Sequence, residues 1–184
     1  MRVISGVYKR RRFDPPRSFR ARPTTDFAKE SLFNVLAGYL NLEADTRALD
    51  LFAGTGSISL ELLSRGCGCV VSVEKERDHY AFIRGMKEEL QEEHWIPVRG
   101  DVFRFVRSGR MHAAFDLVFA DPPYDLPELP TLPDLILEST LLKPAGLFIL
   151  EHGKKHRFDA HPCFLEQRTY GSVHFSFFRH RAAE

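Results

Sequence analysis

A largely apolar run of strand length, residues 115–120, is followed by Asp121 and two consecutive prolines. Its sequence, Phe-Asp-Leu-Val-Phe-Ala, is typical of a parallel strand buried on both faces. Asp121 and Pro122 each precede a proline, so both are expected to be extended, and prolines offer carbonyl acceptors without N–H donors. The segment therefore predicts a rigid acceptor corner at the carboxyl end of a strand, beside Tyr124, where ligands of open α/β sheets bind. The competing interpretation is a turn that only ends the strand.

Strand-like and helix-like segments alternate through most of the chain. Strands are expected at 47–52, 70–74, 95–99, 115–120 and 147–151, with a final pair at 164–170 and 173–179. Helices are expected at 24–40, 58–64, 77–93, 102–108 and from about 134 to Leu142, before a turn at 143–146. This alternation predicts an α/β fold with a doubly wound, seven-stranded, mostly parallel sheet and one antiparallel edge strand.

Basic residues are concentrated at the N-terminus. Residues 1–22 contain eight Lys or Arg and one Asp, whereas the rest contains 18 Lys or Arg and 24 acidic residues. Residues 2–13 predict a basic β-hairpin, and the prolines of 14–23 predict an extended loop. A basic arm on an acidic body indicates a polyanionic partner, and interleaved apolar residues disfavour a disordered tail. We therefore divide the chain into an arm, 1–22, and a sheet domain, 23–184.

A glycine-rich turn, Asp50 to Gly56, follows the first predicted strand and precedes a helix. Glycines let the backbone approach a ligand closely, and a helix N-terminus supplies N–H donors. Glu74 ends the next strand, where an acid binds ribose hydroxyls in nucleotide-binding sheets. Ser59 departs from the dinucleotide-binding pattern, and Asp50 would repel a pyrophosphate but suits the cationic methionine end of S-adenosylmethionine. The turn therefore favours an S-adenosylmethionine pocket over an NAD site.

Composition limits the other classes of function. The 184 residues suffice for one domain with a full core, and neither an apolar run of about 18 residues nor an apolar signal-peptide core is present. Cys67, Cys69 and Cys163 lack metal-ligand spacing, and the eight histidines form no ligand pattern. We therefore expect a cytoplasmic protein with small buried cysteines, no metal and no membrane partner.

Several segments together resemble the RsmD-like 16S rRNA (guanine-N2)-methyltransferases, and the resemblance spans nearly the whole chain. The segments are Arg2–Gly6 with the basic run after it, Arg22–Asp26 leading to Glu30–Asn34, Asp50–Gly56, Leu63–Gly66 and Asp121–Tyr124. Asp-Pro-Pro-Tyr resembles the (D/N/S)-P-P-(Y/F/W) motif of S-adenosylmethionine-dependent amino-methyltransferases. The chain departs from the family at Phe27 and Lys29, where Arg is usual, and at Ser59, where Gly is usual.

The resemblance implies a Rossmann-like class I methyltransferase with a basic hairpin extension. It implies methyl transfer from S-adenosylmethionine to N2 of a guanine in small-subunit ribosomal RNA, free or in an assembly particle. The implied catalytic residues are Asp121, Pro122 and Tyr124. The cofactor-binding candidates are Asp50, Phe52, Ala53, Gly54, Gly56, Glu74, Lys75, Asp101, Val102 and Asp121. The RNA-binding candidates are Arg2, Lys9, Arg10, Arg11, Arg12, Arg20, Arg22, Thr24 and Thr25.

Several alternatives remain open. Asp101 can bind the adenine amino group, or it can only cap the next helix. The target amine can instead be adenine N6 in DNA or a glutamine amide in a release factor, although those enzymes commonly show Asn in place of Asp121. The chain can also be an RNA-binding protein without catalysis, or a Rossmann oxidoreductase, which Ser59 and Asp50 disfavour.

Overall fold

The structure is a computed structural model, and it describes residues 1–16, 19, 25–109 and 114–181. Three of the RNA-binding candidates, Arg20, Arg22 and Thr24, lie outside the described residues, as does most of the loop expected after residue 16. No helix in the described part of the chain has the length and apolar character needed to cross a membrane.

One mixed sheet forms the centre of the protein. Its strands within the described ranges are β1 (Arg47–Leu51), β2 (Cys69–Glu74), β3 (Trp95–Arg99), β4 (Phe115–Ala120), β5 (Leu142–His152), β6 (Phe164–Tyr170) and β7 (Val173–Phe178). Their order is β3-β2-β1-β4-β5-β7-β6. The first five pair in parallel, and β7 is antiparallel to both β5 and β6. The mostly parallel α/β sheet expected from the sequence is confirmed, with its antiparallel strand inserted just inside β6.

Helices cover both faces of this sheet. They are α1 (Asp26–Leu36), α2 (Ser57–Ser64), α3 (Arg77–Leu90), α4 (Val102–Arg107) and α5 (Leu132–Leu137). Separate apolar clusters lie on the two faces: Leu117 and Phe119 of β4 point into one, and Val118 and Ala120 into the other. Burial on both faces explains the largely apolar sequences of the parallel strands.

The predicted ends of α1, α3 and α5 and the predicted start of β5 were wrong. Helix α3 ends at Leu90 and not near 93. Helix α1 ends at Leu36 and not near 40, because the chain continues as turns with Gly38 N–H bonded to the Val35 carbonyl. Helix α5 ends at Leu137 and not at 142. Strand β5 begins at Leu142, which pairs with Phe115, and a register shift then accommodates the expected turn at 143–146 inside the strand. Such an irregularity tolerates a proline, which has no N–H for the ladder.

The N-terminal segment is docked on α2. The expected hairpin is short: Arg2 and Arg12 form an antiparallel bridge, and backbone hydrogen bonds join Val3 to Arg11 and Met1 to Phe13. Val3 and Phe13 are buried in the core. Gly6 has φ +84°, and a Cβ there would lie 1.6 Å from the Ser64 carbonyl oxygen. A side chain at position 6 would therefore push this segment off the helix.

A buried ion cluster fixes the same segment. Glu61 of α2 accepts hydrogen bonds from the N–H groups of Ile4 (2.8 Å) and Ser5 (3.0 Å) and from Arg65 Nε (2.8 Å). Lys29 Nζ donates to the Arg2 carbonyl (2.6 Å) and lies 3.8 Å from Glu61 Oε2, and burial lowers the pKa of this lysine. Lys29, one of the departures from the family pattern, is therefore an internal residue that ties the N-terminal segment to the domain.

Candidate active site

Four acidic side chains converge where neighbouring parallel strands end. Asp50 lies on β1, Glu74 ends β2, Asp121 follows β4, and Glu151 lies near the end of β5. These strands are adjacent in the order β2-β1-β4-β5, so the acids share one edge of the sheet. Sequence reasoning singled out the first three and missed Glu151, although its place at the end of a predicted parallel strand was the same signal.

Asp50 is fully enclosed, with 1% of its surface exposed. Its Oδ2 accepts a hydrogen bond from the Ser59 N–H (3.1 Å) and another from the Ser59 hydroxyl. Burial raises the pKa of Asp50 to about 7, the hydrogen bonds from Ser59 oppose that rise, and the nearby charge of Glu74 adds to it. Asp50 is thus poised between its neutral and ionised forms, and a cationic ligand would favour the ionised form.

Glu74 organises the glycine turn. Its Oε2 accepts the Gly54 N–H (2.7 Å), and its Oε1 accepts the Glu76 N–H (2.7 Å). Gly54 has φ +53°, and the nearest atom to an added Cβ would be 3.9 Å away, so the turn leaves room for a ligand. A carboxylate has about four lone-pair sites, so Glu74 keeps capacity for two ribose hydroxyls. The glycine turn and Glu74 therefore fit S-adenosylmethionine.

The remaining cofactor-binding candidates surround this turn. Phe52 has φ 59° and its ring packs edge-on against Phe103, with centroids 6.2 Å apart. The Ala53 N–H donates to the Val73 carbonyl, a Cβ on Gly56 would meet the Trp95 ring, and Lys75 is exposed.

Asp101 caps α4 by accepting the Arg104 N–H (3.0 Å), and Val102 is buried in the core. Asp101 therefore caps α4, and its binding of the adenine amino group stays a prediction.

The acceptor corner after β4 is held from several sides. The Asp121 N–H donates to the Leu51 carbonyl (3.2 Å), which ties the corner to β1, and Pro122 is buried. Burial raises the pKa of Asp121 well above its usual range, and the charges of Glu151 and Asp50 raise it further. Mutually repelling carboxyls in an enclosed site attract a cationic ligand, because its charge relieves their repulsion.

Tyr124 is fixed beside this corner. Its hydroxyl donates to Glu151 Oε1 (2.8 Å), and its backbone carbonyl lies 3.4 Å from His156 Nε2. A Cβ on Gly153 would lie 2.8 Å from the Tyr124 ring, so only glycine allows this close approach. The ring is therefore held in one orientation by contacts from β5 and the residues after it.

The RNA-binding candidates of the N-terminal segment fall into two groups. Arg2 lies 2.9 Å from Asp26, and Arg11 lies 2.7 Å from Glu89, so both charges are partly neutralised. The others, Lys9, Arg10 and Arg12, are exposed and form no ion pair with any described residue. Thr25 caps α1 by accepting the Ala28 N–H (3.2 Å). The three unpaired cations leave a net positive surface on this segment.

The sheet order, the glycine turn after β1 and the acid at the end of β2 define a Rossmann-like methyltransferase, the class that uses S-adenosylmethionine. The solved structure of Escherichia coli yhhF superposes with a TM-score of 0.84, covering 100% of this chain and 99% of that chain at 24% identity, and shows the same fold.

Two comparisons of sequence define the family. The family described as "Conserved hypothetical protein 95" matches residues 1–179. YlbH of Bacillus subtilis is 35% identical over 161 residues, covering 84% of each chain. Ribosomal RNA small subunit methyltransferase D of Haemophilus influenzae is 31% identical over 159 residues, covering 84% of this chain and 79% of that protein. The chain belongs to this family, the RsmD-like family, as the sequence motifs predicted.

Proposed function

We propose that this protein transfers a methyl group from S-adenosylmethionine to N2 of a guanine in small-subunit ribosomal RNA. The names of its relatives support ribosomal RNA as the substrate. The guanine amino group is inferred from one observation: a rigid pair of acceptors, Asp121 and the Pro122 carbonyl, stands beside a fixed aromatic ring at a cation-attracting edge. We propose that it acts in the cytoplasm, with residues 1–22 contacting RNA and residues 23–184 performing catalysis.

Asp121 and Pro122 would act on the target nitrogen. Guanine N2 is a poor nucleophile because its lone pair is delocalised into the ring. Two acceptors, the Asp121 carboxylate and the Pro122 carbonyl, bind its two hydrogens and favour a pyramidal nitrogen whose lone pair is available. Bound S-adenosylmethionine supplies an electrophilic methyl group on a positively charged sulfur. The Asp121 carboxylate is also a base for the proton that N2 loses. Positioning of the reacting groups and placement of charge thus provide most of the catalysis.

Tyr124 would stack on the target base after it is flipped out of the RNA. Replacing Tyr124 by Ala removes the stacking surface, and we expect KM for RNA to rise roughly 5- to 150-fold, from a base–aromatic stacking energy of about 1–3 kcal/mol. Tyr124→Phe keeps the ring and loses only the hydrogen bond to Glu151, so its KM should change less than about 10-fold. Steady-state kinetics with calorimetry of cofactor binding test this, and equal losses in both variants would contradict the stacking role.

A second basic segment lies beside Tyr124. Residues 153–157, Gly-Lys-Lys-His-Arg, directly follow β5, and Gly153 and His156 contact Tyr124. Lys154 and Lys155 are exposed and form no ion pair within the part of the chain that the structure describes. These two cations are therefore positioned to contact phosphates next to a base stacked on Tyr124, in addition to those bound by the N-terminal segment.

Removing both lysines should weaken the salt dependence of RNA binding. For Lys154→Ala/Lys155→Ala we expect the slope of log K against log salt to fall in magnitude by about 1.5, since each phosphate contact contributes about 0.7–0.9. Cofactor affinity should stay constant. Lys143→Ala, which removes a charge beside Asp116 at the opposite end of β4 from the Asp121 corner, is the control. Equal slopes for the double variant and the wild type would contradict these contacts.

One assay separates the alternative substrates. Radiolabelled S-adenosylmethionine is offered with naked ribosomal RNA, small-subunit particles, DNA and a release factor in parallel. We expect label in ribosomal RNA, free or in particles. Label in DNA or protein would identify another amino-methyltransferase, and cofactor binding without any transfer would favour an inactive RNA-binding protein.

A further inference from the structure

A chain of hydrogen bonds runs through the interior from Trp95 to Asp50. The Trp95 Nε1–H donates to Ser72 Oγ (2.7 Å), the hydroxyls of Ser72 and Ser59 are bonded, and Ser59 Oγ bonds Asp50 Oδ2. All four side chains are at most 1% exposed. They come from β3, β2, α2 and β1, so the chain crosses four elements.

The two ends of the chain determine its direction. An indole N–H can only donate, and an ionised carboxylate can only accept. The Ser72 hydroxyl, which accepts from Trp95, therefore donates to Ser59, and the Ser59 hydroxyl donates to Asp50. Each donor strengthens the next, because hydrogen bonds in a low-dielectric interior polarise one another.

We propose that Ser59, Ser72 and Trp95 are positioning residues for Asp50, and that their hydrogen-bond chain keeps its carboxylate ionised and oriented for a cationic ligand group. The inference rests on the proposed role of Asp50 in binding the cationic end of S-adenosylmethionine. The inference explains the presence of serine at position 59, because the glycine that is usual there in the family has no hydroxyl to donate to Asp50. A glycine would leave Ser72 without its acceptor and Asp50 with one donor fewer.

The direction of the effect follows from the groups around Asp50. Burial and the neighbouring carboxyls, Glu74 and Asp121, disfavour its charge, while the Ser59 hydroxyl and N–H favour it. Removing the hydroxyl leaves only the N–H on the favourable side. The pKa of Asp50, about 7 in the intact protein, therefore rises, and the carboxyl is mostly neutral at pH 7.

Carbon-detected NMR titration of the Asp50 carboxyl tests the chain directly. For Ser59→Ala we expect the midpoint to move up by about one pH unit, which corresponds to one charge-assisted hydrogen bond. Ser72→Ala should move the midpoint in the same direction by a smaller amount. This variant replaces Ser59→Ala as the test if Ser59→Ala does not fold. Ser57→Ala is the control, because this hydroxyl of the same helix accepts a bond from Lys29 and should leave the midpoint unchanged.

Calorimetry of S-adenosylmethionine binding between pH 6 and pH 9 tests the consequence. In Ser59→Ala we expect affinity at pH 7 to fall up to about 10-fold and to recover at pH 9, where Asp50 is ionised again. An unchanged carboxyl midpoint in both Ser59→Ala and Ser72→Ala would overturn the inference. A raised midpoint with unchanged affinity at every pH would refute the role of Asp50 in binding the cofactor. Neither measurement depends on the RNA substrate, so the proposed reaction is tested separately.

Discussion

Replacing Asp121 by Ala should reduce kcat for methyl transfer on the order of 10²–10³-fold, the usual loss when one preorganised hydrogen-bonding group is removed from a reacting centre. The variant loses the acceptor that binds the target amine and the base for its departing proton. Burial raises the pKa of Asp121, so ionising it destabilises the folded state as the pH rises above the usual range of an aspartate. We therefore expect Asp121→Ala to be no less stable than the wild type at neutral pH.

The control is an aspartate on β4, the strand that precedes Asp121. Asp116 lies at the opposite end of β4, where it accepts from Lys143 Nζ (2.7 Å) and the Arg47 N–H (2.9 Å). Asp116→Asn should retain the kcat of the folded enzyme. Single-turnover assays with saturating cofactor measure both variants. Full activity in Asp121→Ala, or the same loss in Asp116→Asn, would contradict the assignment.

Replacing Glu61 by Ala should lower the free energy of unfolding by about 3–5 kcal/mol, as is typical when one partner of a buried ion pair is removed. Glu61 is 0% exposed and accepts two backbone N–H groups from the N-terminal segment as well as the Arg65 guanidinium. Its loss leaves Lys29 with its nearest counter-charge removed and releases residues 4–5 from α2. We expect the N-terminal segment to become accessible to protease as well.

A surface pair with the same spacing provides the comparison. Arg84 and Glu88 form an i,i+4 pair on α3 at 2.9 Å, with side chains that are 56% and 66% exposed. Glu88→Ala should cost less than about 1 kcal/mol, because exposed pairs are screened by solvent. Urea unfolding of the two variants gives both values. Similar losses of unfolding free energy in Glu61→Ala and Glu88→Ala would show that the buried cluster stabilises the fold no more than an exposed pair does.

The sheet and the glycine turn were predictable because their signals are local. Residues 117–120 are apolar without interruption because both faces of β4 are covered there, and Gly54 and Gly56 adopt positive φ in the turn after β1. The clustering of the acidic residues at the ends of β1, β2 and β4 was predictable from the strand positions alone, since parallel strands bring their carboxyl ends to one edge of the sheet.

The contacts that fix the site depend on pairs distant in sequence. Glu61 binds the N–H of Ile4, 57 residues away, and Tyr124 binds Glu151, 27 residues away. No local pattern specifies such partners, so the sequence marks Lys29 only as a departure from the family pattern and does not show that it is buried. Ser59 was likewise read only as a missing glycine. Helix ends such as Leu36 were misplaced because propensity changes little over the last turn of a helix.

The central claim is that the Asp121 corner directs methylation to guanine N2 in small-subunit ribosomal RNA. Mass spectrometry of nucleosides from that RNA, isolated from cells carrying the intact protein or the Asp121→Ala variant, tests it most directly. We expect the variant to lack one N2-methylguanosine that the intact protein produces, with all other modified nucleosides unchanged. Equal amounts of N2-methylguanosine in the two samples would contradict the claim.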